Sequence, residues 1–191
     1  MPLNCTSLSV LTTLEKPGKR VVTLDAQRFA PGRQEQQTLL YTTHFCRDCG
    51  QEYHPVWKSG LESTSFMPRD ISETTVDPEQ EMSFGFLCPK YDDLNYKGML
   101  DDLPEHWLDY SKAEPKLKSN YKYAVPVEYQ VDSQGSVGRG ERYWFVPGKF
   151  RFCLNCGQSH DANGKDSNRL ASLSGEGRSS ATTVLTLAAL R

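Results

Sequence analysis

Cys46-Arg47-Asp48-Cys49-Gly50 and Cys153-Leu154-Asn155-Cys156-Gly157 are two copies of one pattern, CxxCG, set far apart in the chain. Two residues between the thiols let both sulfurs reach one ion, and the glycine that follows permits the positive φ of a tight turn. One copy supplies two thiolates, and a closed tetrahedral Zn²⁺ site needs four. Cys46, Cys49, Cys153 and Cys156 therefore form one complete structural ligand set. His44-Phe45 precedes the first copy and Phe150-Arg151-Phe152 the second, and both flanks read as strands leading into a zinc-ribbon knuckle.

A disulfide framework or cysteines that fill a core are the alternatives, and six cysteines permit either on count alone. The first residues lack the charged, apolar and cleavage regions of a secretory signal, which points to reduced thiols and a cytoplasmic address. Cys5 and Cys88 have no CxxC partner. Cys88 lies in Phe86-Leu87-Cys88-Pro89, which reads as a strand end, and it is not taken as a ligand.

The 191 residues suffice for one ordinary domain or a small domain carrying an insertion. A hydrophobic fraction of 37% and a mean hydropathy of −0.60 imply a modest core, so the metal should matter for folding. No apolar stretch is long enough to span a bilayer, so no membrane partner is expected. Net charge is −2, but its distribution is uneven. From Asp70 to Glu114 there are twelve Asp/Glu against three Lys, a net of −9, which leaves +7 for the remainder and its two knuckles. Such asymmetry fits a nucleic-acid-facing surface at the ribbon, and it equally fits two ordinary solvated faces.

The fold class expected is β-rich (α+β). A zinc ribbon is formed by the two distant knuckles, with an inserted β/α lobe and a C-terminal helix. Residues 1–18 read as a polar, frayed lead-in, and 19–57 as the first half of the ribbon. Within that half, strands are expected over 19–29, 39–45 and 52–57, the last placed at an edge or a bulge by Pro55. Residues 58–120 read as an acidic, loop-rich insertion with a strand at 82–87 and a short helix over 103–110 anchored by Trp107 and Leu108. Residues 121–160 hold a hairpin, 121–131 with 142–146, and the second half of the ribbon. Residues 161–191 are a linker and a terminal helix. Ser180 to Leu190 is apolar on nearly every side, which implies cover from a missing continuation or a partner.

The residues 151–157 and 170–183, the latter including Glu176-Gly177-Arg178-Ser179 and Ala181-Thr182-Thr183, resemble a segment of very large bacterial DEAD/DEAH-box helicases, several of them linked to phage defence. His44 to Val56 is similar to that family's first knuckle, and 22–25 with 29–33 to the stretch before it. The resemblance implies a zinc-bearing segment between two RecA-like motor domains, with the terminal helix opening the second motor. Its partners would be DNA or RNA, and the remainder of the motor or a partner subunit covering the helix. The chain carries neither a GxxxxGK[ST] phosphate loop nor a DEAD/DEAH box, so it lacks the groups that hold phosphates and Mg²⁺. A non-catalytic module is expected, with a stand-alone protein–protein adaptor as the alternative.

His44, His54 and His160 lie near the knuckles, yet four thiolates would close the coordination sphere and leave no catalytic position. No His-x-Glu precedes a Cys-x-x-Cys in the pattern of a zinc deaminase. Arg142 to Arg151 (RYWFVPGKFR) interleaves three basic residues with four aromatics. Exposed rings there would stack bases, whereas strand patterning favours their burial. Arg47, Arg142, Lys149 and Arg151 are the candidate nucleic-acid contacts.

Overall fold

The computed structural model describes residues 9–60, 64–75, 81–111, 114–161 and 163–173. The expected terminal helix and the EGRS stretch lie outside these residues. Among the described residues, twelve strands run in chain order: β1 Leu11–Thr12, β2 Val22–Thr23, β3 Tyr41–Thr42, β4 His44–Cys46, β5 Glu52–Ser59, β6 Ser65–Pro68, β7 Met82–Pro89, β8 Leu108–Asp109, β9 Lys116–Leu117, β10 Val127–Val131, β11 Glu141–Pro147 and β12 Leu170–Ser172. The helical residues described are short 3₁₀ turns at Leu100–Asp102, Glu105–Trp107, Ser119–Ala124 and Asp166–Asn168.

A seven-stranded sheet in the order β10-β11-β7-β5-β4-β12, with β6 beside β5, dominates the structure. Its central strands carry near-continuous apolar runs because both faces are covered. On one face Phe86, Cys88, Trp144 and Val146 meet Phe150, Phe152, Leu154, Trp107 and Tyr96. On the other, Leu87, Tyr143, Phe145 and Val56 meet Leu14, Leu39, Tyr41 and Phe66. Alternate residues of β7 and β11 thus fall into opposite clusters, as a period of two requires. Each fully buried large apolar side chain contributes roughly 1.5–3 kcal/mol.

Several elements differ from the sequence reading, each for a local reason. One sheet crosses the boundaries drawn at 58 and 120, because β7 of the acidic stretch pairs along β5 from His54↔Leu87 to Ser59↔Met82. The polar lead-in is part of the core from Val10 onward, with Val10 and Leu14 both buried. The expected strand 19–29 is broken: Val22–Thr23 pair with β1, and Phe29 makes a separate bridge to Leu39. Pro55 lies in an interior strand rather than at an edge. Its carbonyl accepts the Arg69 N–H at 3.2 Å, so its nitrogen faces the gap where the neighbour of β5 changes from β4 to β6.

The expected helix 103–110 is a single 3₁₀ turn followed by a strand. The Trp107 carbonyl accepts from Lys118 N–H at 2.9 Å, and Leu108–Asp109 pair with Lys116–Leu117, so the backbone bonds go to a hairpin. Trp107 and Leu108 are nonetheless core anchors, both buried. The expected strand 121–131 begins only at Val127, after the Ser119–Ala124 turn and Pro126.

Val10 N–H donates to the Leu173 carbonyl at 3.1 Å, and Thr43 N–H to the Val10 carbonyl at 2.9 Å. The first and last described strands are therefore neighbours. Among the described residues, no helix is long and apolar enough to cross a membrane.

Two predictions follow from the packing of the sheet. An ideal Cβ on Gly85 would lie 2.4 Å from the Val146 carbonyl oxygen and 2.5 Å from Phe145 Cε2. Gly85→Ala is expected to cost about 1–3 kcal/mol by overpacking, read from the urea midpoint. His54 is fully buried between Tyr41 and Tyr143, and burial pushes its pKa down to about 4 from 6.5. A lowered histidine pKa means that the unfolded chain binds the proton first. Stability is unaffected by this group above pH 6.5 and falls as pH drops from 6.5 towards 4, by about 3 kcal/mol in full. His54→Leu should flatten this part of the stability profile by up to one proton in a urea titration against pH.

Candidate metal centre

The two knuckles share one backbone frame. In the first, Cys46 N–H donates to Gln51 O at 2.8 Å and Gly50 N–H to Cys46 O at 2.9 Å. In the second, Cys153 N–H donates to Gln158 O at 2.9 Å and Gly157 N–H to Cys153 O at 3.0 Å. Phe45 pairs with Glu52, and Phe152 with Ser159, at identical offsets from the first cysteine of each copy. The closing glycines have φ of 77° and 73°, a left-handed conformation that side-chain-bearing residues adopt at a cost. Equal local sequence has produced equal local structure in two unconnected places.

The fold brings the two knuckles together. The ligand atoms of Cys46, Cys49, Cys153 and Cys156 all lie within 4.8 Å of one another. Cys46 Sγ is 3.9 Å from Cys156 Sγ, and Cys49 Sγ is 3.6 Å from Cys153 Sγ, far longer than a disulfide bond. A tetrahedron of sulfurs bound at about 2.3 Å has edges of about 3.8 Å. The four cysteines are thus close enough to bind one metal ion. Among the described residues, the group of potential metal ligands contains these cysteines and neither His44, His54 nor His160.

The surroundings hold both hairpins in place. Tyr53 OH donates to Cys153 Sγ at 3.4 Å and accepts the Leu154 N–H at 2.7 Å, tying β5 to the second knuckle. Tyr96 N–H donates to Leu154 O at 2.9 Å and Asn95 Nδ2 to Asn155 O at 2.6 Å. Cys46 faces Leu170 in the β4–β12 ladder, and Arg47 Nη2 reaches the Ser167 carbonyl at 3.2 Å. Behind the first knuckle, Arg20 forms a buried two-point pair with Glu52 at 2.8 and 3.0 Å, and Tyr91 OH donates to the same carboxylate at 2.6 Å. Burial would raise the Glu52 carboxyl, but His54, Arg20 and Tyr91 outweigh it and hold the pKa below its ordinary value.

The sulfurs themselves are unequal. Cys46 and Cys153 are buried, while Cys49 and Cys156 are exposed. Burial pushes the Cys46 thiol up to about 11 and raises Cys153 as well. At Cys49 burial is outweighed by the Gln51 backbone N–H and the neighbouring cysteines, and the thiol is lowered. Burial opposes ionisation of the inner pair, and a divalent cation at the centre would supply the compensating charge. Cys88 is fully buried, accepts from Gln51 Nε2 at 3.5 Å and stands outside the ligand group.

The candidate nucleic-acid residues are scattered by comparison. Arg47 is exposed at the tip of the first knuckle. Lys149 and Arg151 are half-buried, and Arg142 approaches Glu128 at 3.9 Å. The rings interleaved with them are unavailable for base stacking: Tyr143, Trp144, Phe145 and Phe150 are all buried in the two core clusters. The sequence pattern had allowed either outcome, and double-sided cover of β11 decides it.

Comparison of the chain with protein-family models, with curated proteins and with solved structures gives no match.

Tyr53, Arg20, Glu52 and Tyr91 support the centre without any motif to announce them. Their partners are distant in sequence, and Tyr53 to Cys153 alone spans 100 residues. Tyr53→Phe keeps the ring but leaves the buried Leu154 N–H without its acceptor. It is expected to cost about 1–3 kcal/mol, measured as a lower urea midpoint at unchanged slope.

Proposed function

We propose that Cys46, Cys49, Cys153 and Cys156 hold one structural Zn²⁺, and that the chain is a non-catalytic zinc-ribbon module of a DEAD/DEAH-box helicase-like protein. It would contribute nucleic-acid or interdomain contact in a reducing, cytoplasmic setting. The observation that carries the metal is the meeting of two identically framed knuckles with all ligand atoms within 4.8 Å. Four soft sulfur donors in tetrahedral reach suit zinc among the common divalent ions. Such an ion supplies folding energy, and with four protein ligands it offers no open position to a substrate.

The helicase part of the proposal rests on the resemblance of residues 44–56, 151–157 and 170–183 to the knuckle-bearing segment of that family. The motor chemistry would belong to other domains, since this sequence holds no phosphate loop and no DEAD/DEAH box. Arg47, at the tip of the first knuckle, with Lys149 and Arg151 leading into the second, are the proposed phosphate contacts there. Arg142 is the weakest of the four because Glu128 lies beside it. The exposed apolar side chains of Met99 and Val127 favour a second reading, a protein–protein adaptor. Salt separates the two, because phosphate contacts weaken steeply as it rises.

Metal analysis of the purified chain should give one zinc, released by chelator together with loss of cooperative unfolding. Cys153→Ser is expected to lose the metal and several kcal/mol of stability, comparable with the whole stability of a typical domain. Cys88→Ala should retain one zinc. A Cys153→Ser chain that keeps both its fold and full zinc content would sink the assignment.

A further inference from the structure

We infer that the surface carrying Lys116, Lys118, Lys122 and Tyr123 binds single-stranded nucleic acid, with the tyrosine stacking on a base and the lysines on phosphates. This rests on the nucleic-acid half of the proposed function and is independent of the metal.

The sequence Pro115-Lys-Leu-Lys-Ser-Asn-Tyr-Lys-Tyr123 holds three lysines and no acid, directly after the stretch of net −9. The β8–β9 ladder sets Leu108 opposite Leu117 and Asp109 opposite Lys116. Leu108 is buried, so the Lys116 face of this hairpin is the outward one, and Lys118 follows it two residues on. Lys118 Nζ is steadied on the His106 carbonyl at 2.9 Å.

The next element is anchored from below. The Tyr121 ring lies flat on Trp107, with centroids 4.8 Å apart and planes 6° from parallel, and Trp107 is buried. At three residues per turn, Tyr121 and Ala124 share the inner side of the Ser119–Ala124 turn. Lys122 and Tyr123 are left outward. Tyr123 is 85% exposed. A cleft of about 370 Å³ lies between hairpin and turn, lined by Lys116, Lys118, Ser119 and Asn120 among others.

Large rings held in water on a braced support contribute little to folding, whereas every base offers a face on which they can stack. Lysines interleaved with such rings are the composition of a sequence-tolerant single-strand surface. The acids nearest in sequence, Glu105, Asp109 and Glu114, limit the field. Asp109 stands opposite Lys116 and lines the same cleft, where it accepts from the Ser111 N–H at 2.9 Å. An acidic peptide would need the lysines alone, so the exposed Tyr123 ring favours nucleic acid.

The test is fluorescence anisotropy of the full zinc-loaded chain with labelled oligo(dT) and with an abasic-spacer strand of equal length, across a salt series. Tyr123→Ala should weaken oligo(dT) binding about 5- to 100-fold and leave the abasic strand unchanged. Lys116→Gln with Lys122→Gln should lower the salt slope by about 1.4 for both strands. Far-UV circular dichroism and zinc content of these exposed-site variants report whether the fold is intact. If oligo(dT) binds but neither variant alters it, this surface is excluded while nucleic-acid binding elsewhere survives. Equal affinity for oligo(dT) and the abasic strand, or for polyglutamate, also overturns the inference. Absence of any binding by the unaltered chain removes it together with the nucleic-acid half of the proposed function.

Discussion

Four sulfurs from two hairpins must occupy one small volume, and nearly everything else in the structure serves that requirement. Cys49 and Cys153 are 104 positions apart. Joining points so distant costs an unfolded chain about 5 kcal/mol in loop entropy. The sheet shares this cost: β5 leaves the first knuckle, β11 leads to the second, and β7 pairs with both. Tyr53, on β5, then touches a sulfur of the opposite knuckle. A divalent ion at the centre would add a cross-link between the two hairpins that the sheet brings together.

The buried polar groups follow the same logic. Arg20 and Glu52 are an internal ion pair that gains little stability over apolar packing but is costly to break, so it specifies how the N-terminal segment seats against the first knuckle. Arg69 does similar work on the other side of β5. Its guanidinium lies over Trp57, Phe84 and Phe86 and donates to the carbonyls of Asp70, Ile71 and Glu73, closing a loop that has few apolar residues of its own. A chain with a modest apolar fraction uses such arginines where larger proteins use more core.

The centre was legible because CxxCG is a local instruction whose meaning does not depend on the rest of the fold. Strands β7, β10 and β11 were legible from β-rich runs bounded by Gly and Pro. The helix at 103–110 was misread because Pro104 and early acids signal a helix start, while the competing partner, Lys116–Leu117, comes later in the chain. β6 was missed since Ser65-Phe66-Met67-Pro68 has no periodicity. It is extended because β5 supplies a ladder and Phe66 N–H finds the Gly135 carbonyl at 2.7 Å. The basic tyrosine surface was hidden by averaging: its three lysines sit against an acidic window, and ring exposure is a property of tertiary packing. Pro55 shows the same limit, since its nitrogen falls where the neighbour of β5 changes from β4 to β6, and no sequence window displays that.

The hydrogen bond from Val10 to Leu173 makes the polypeptide arrive and depart through adjacent strands. With the four cysteines just inside that doorway, a pull on the two sides would be borne by β1, β12 and whatever ion the sulfurs hold. The 103 residues from Gly50 to Phe152 would stay out of the line of force. A unit built this way can sit within a longer, moving polypeptide as a rigid side-branch, keeping its own shape while the segments on either side change theirs.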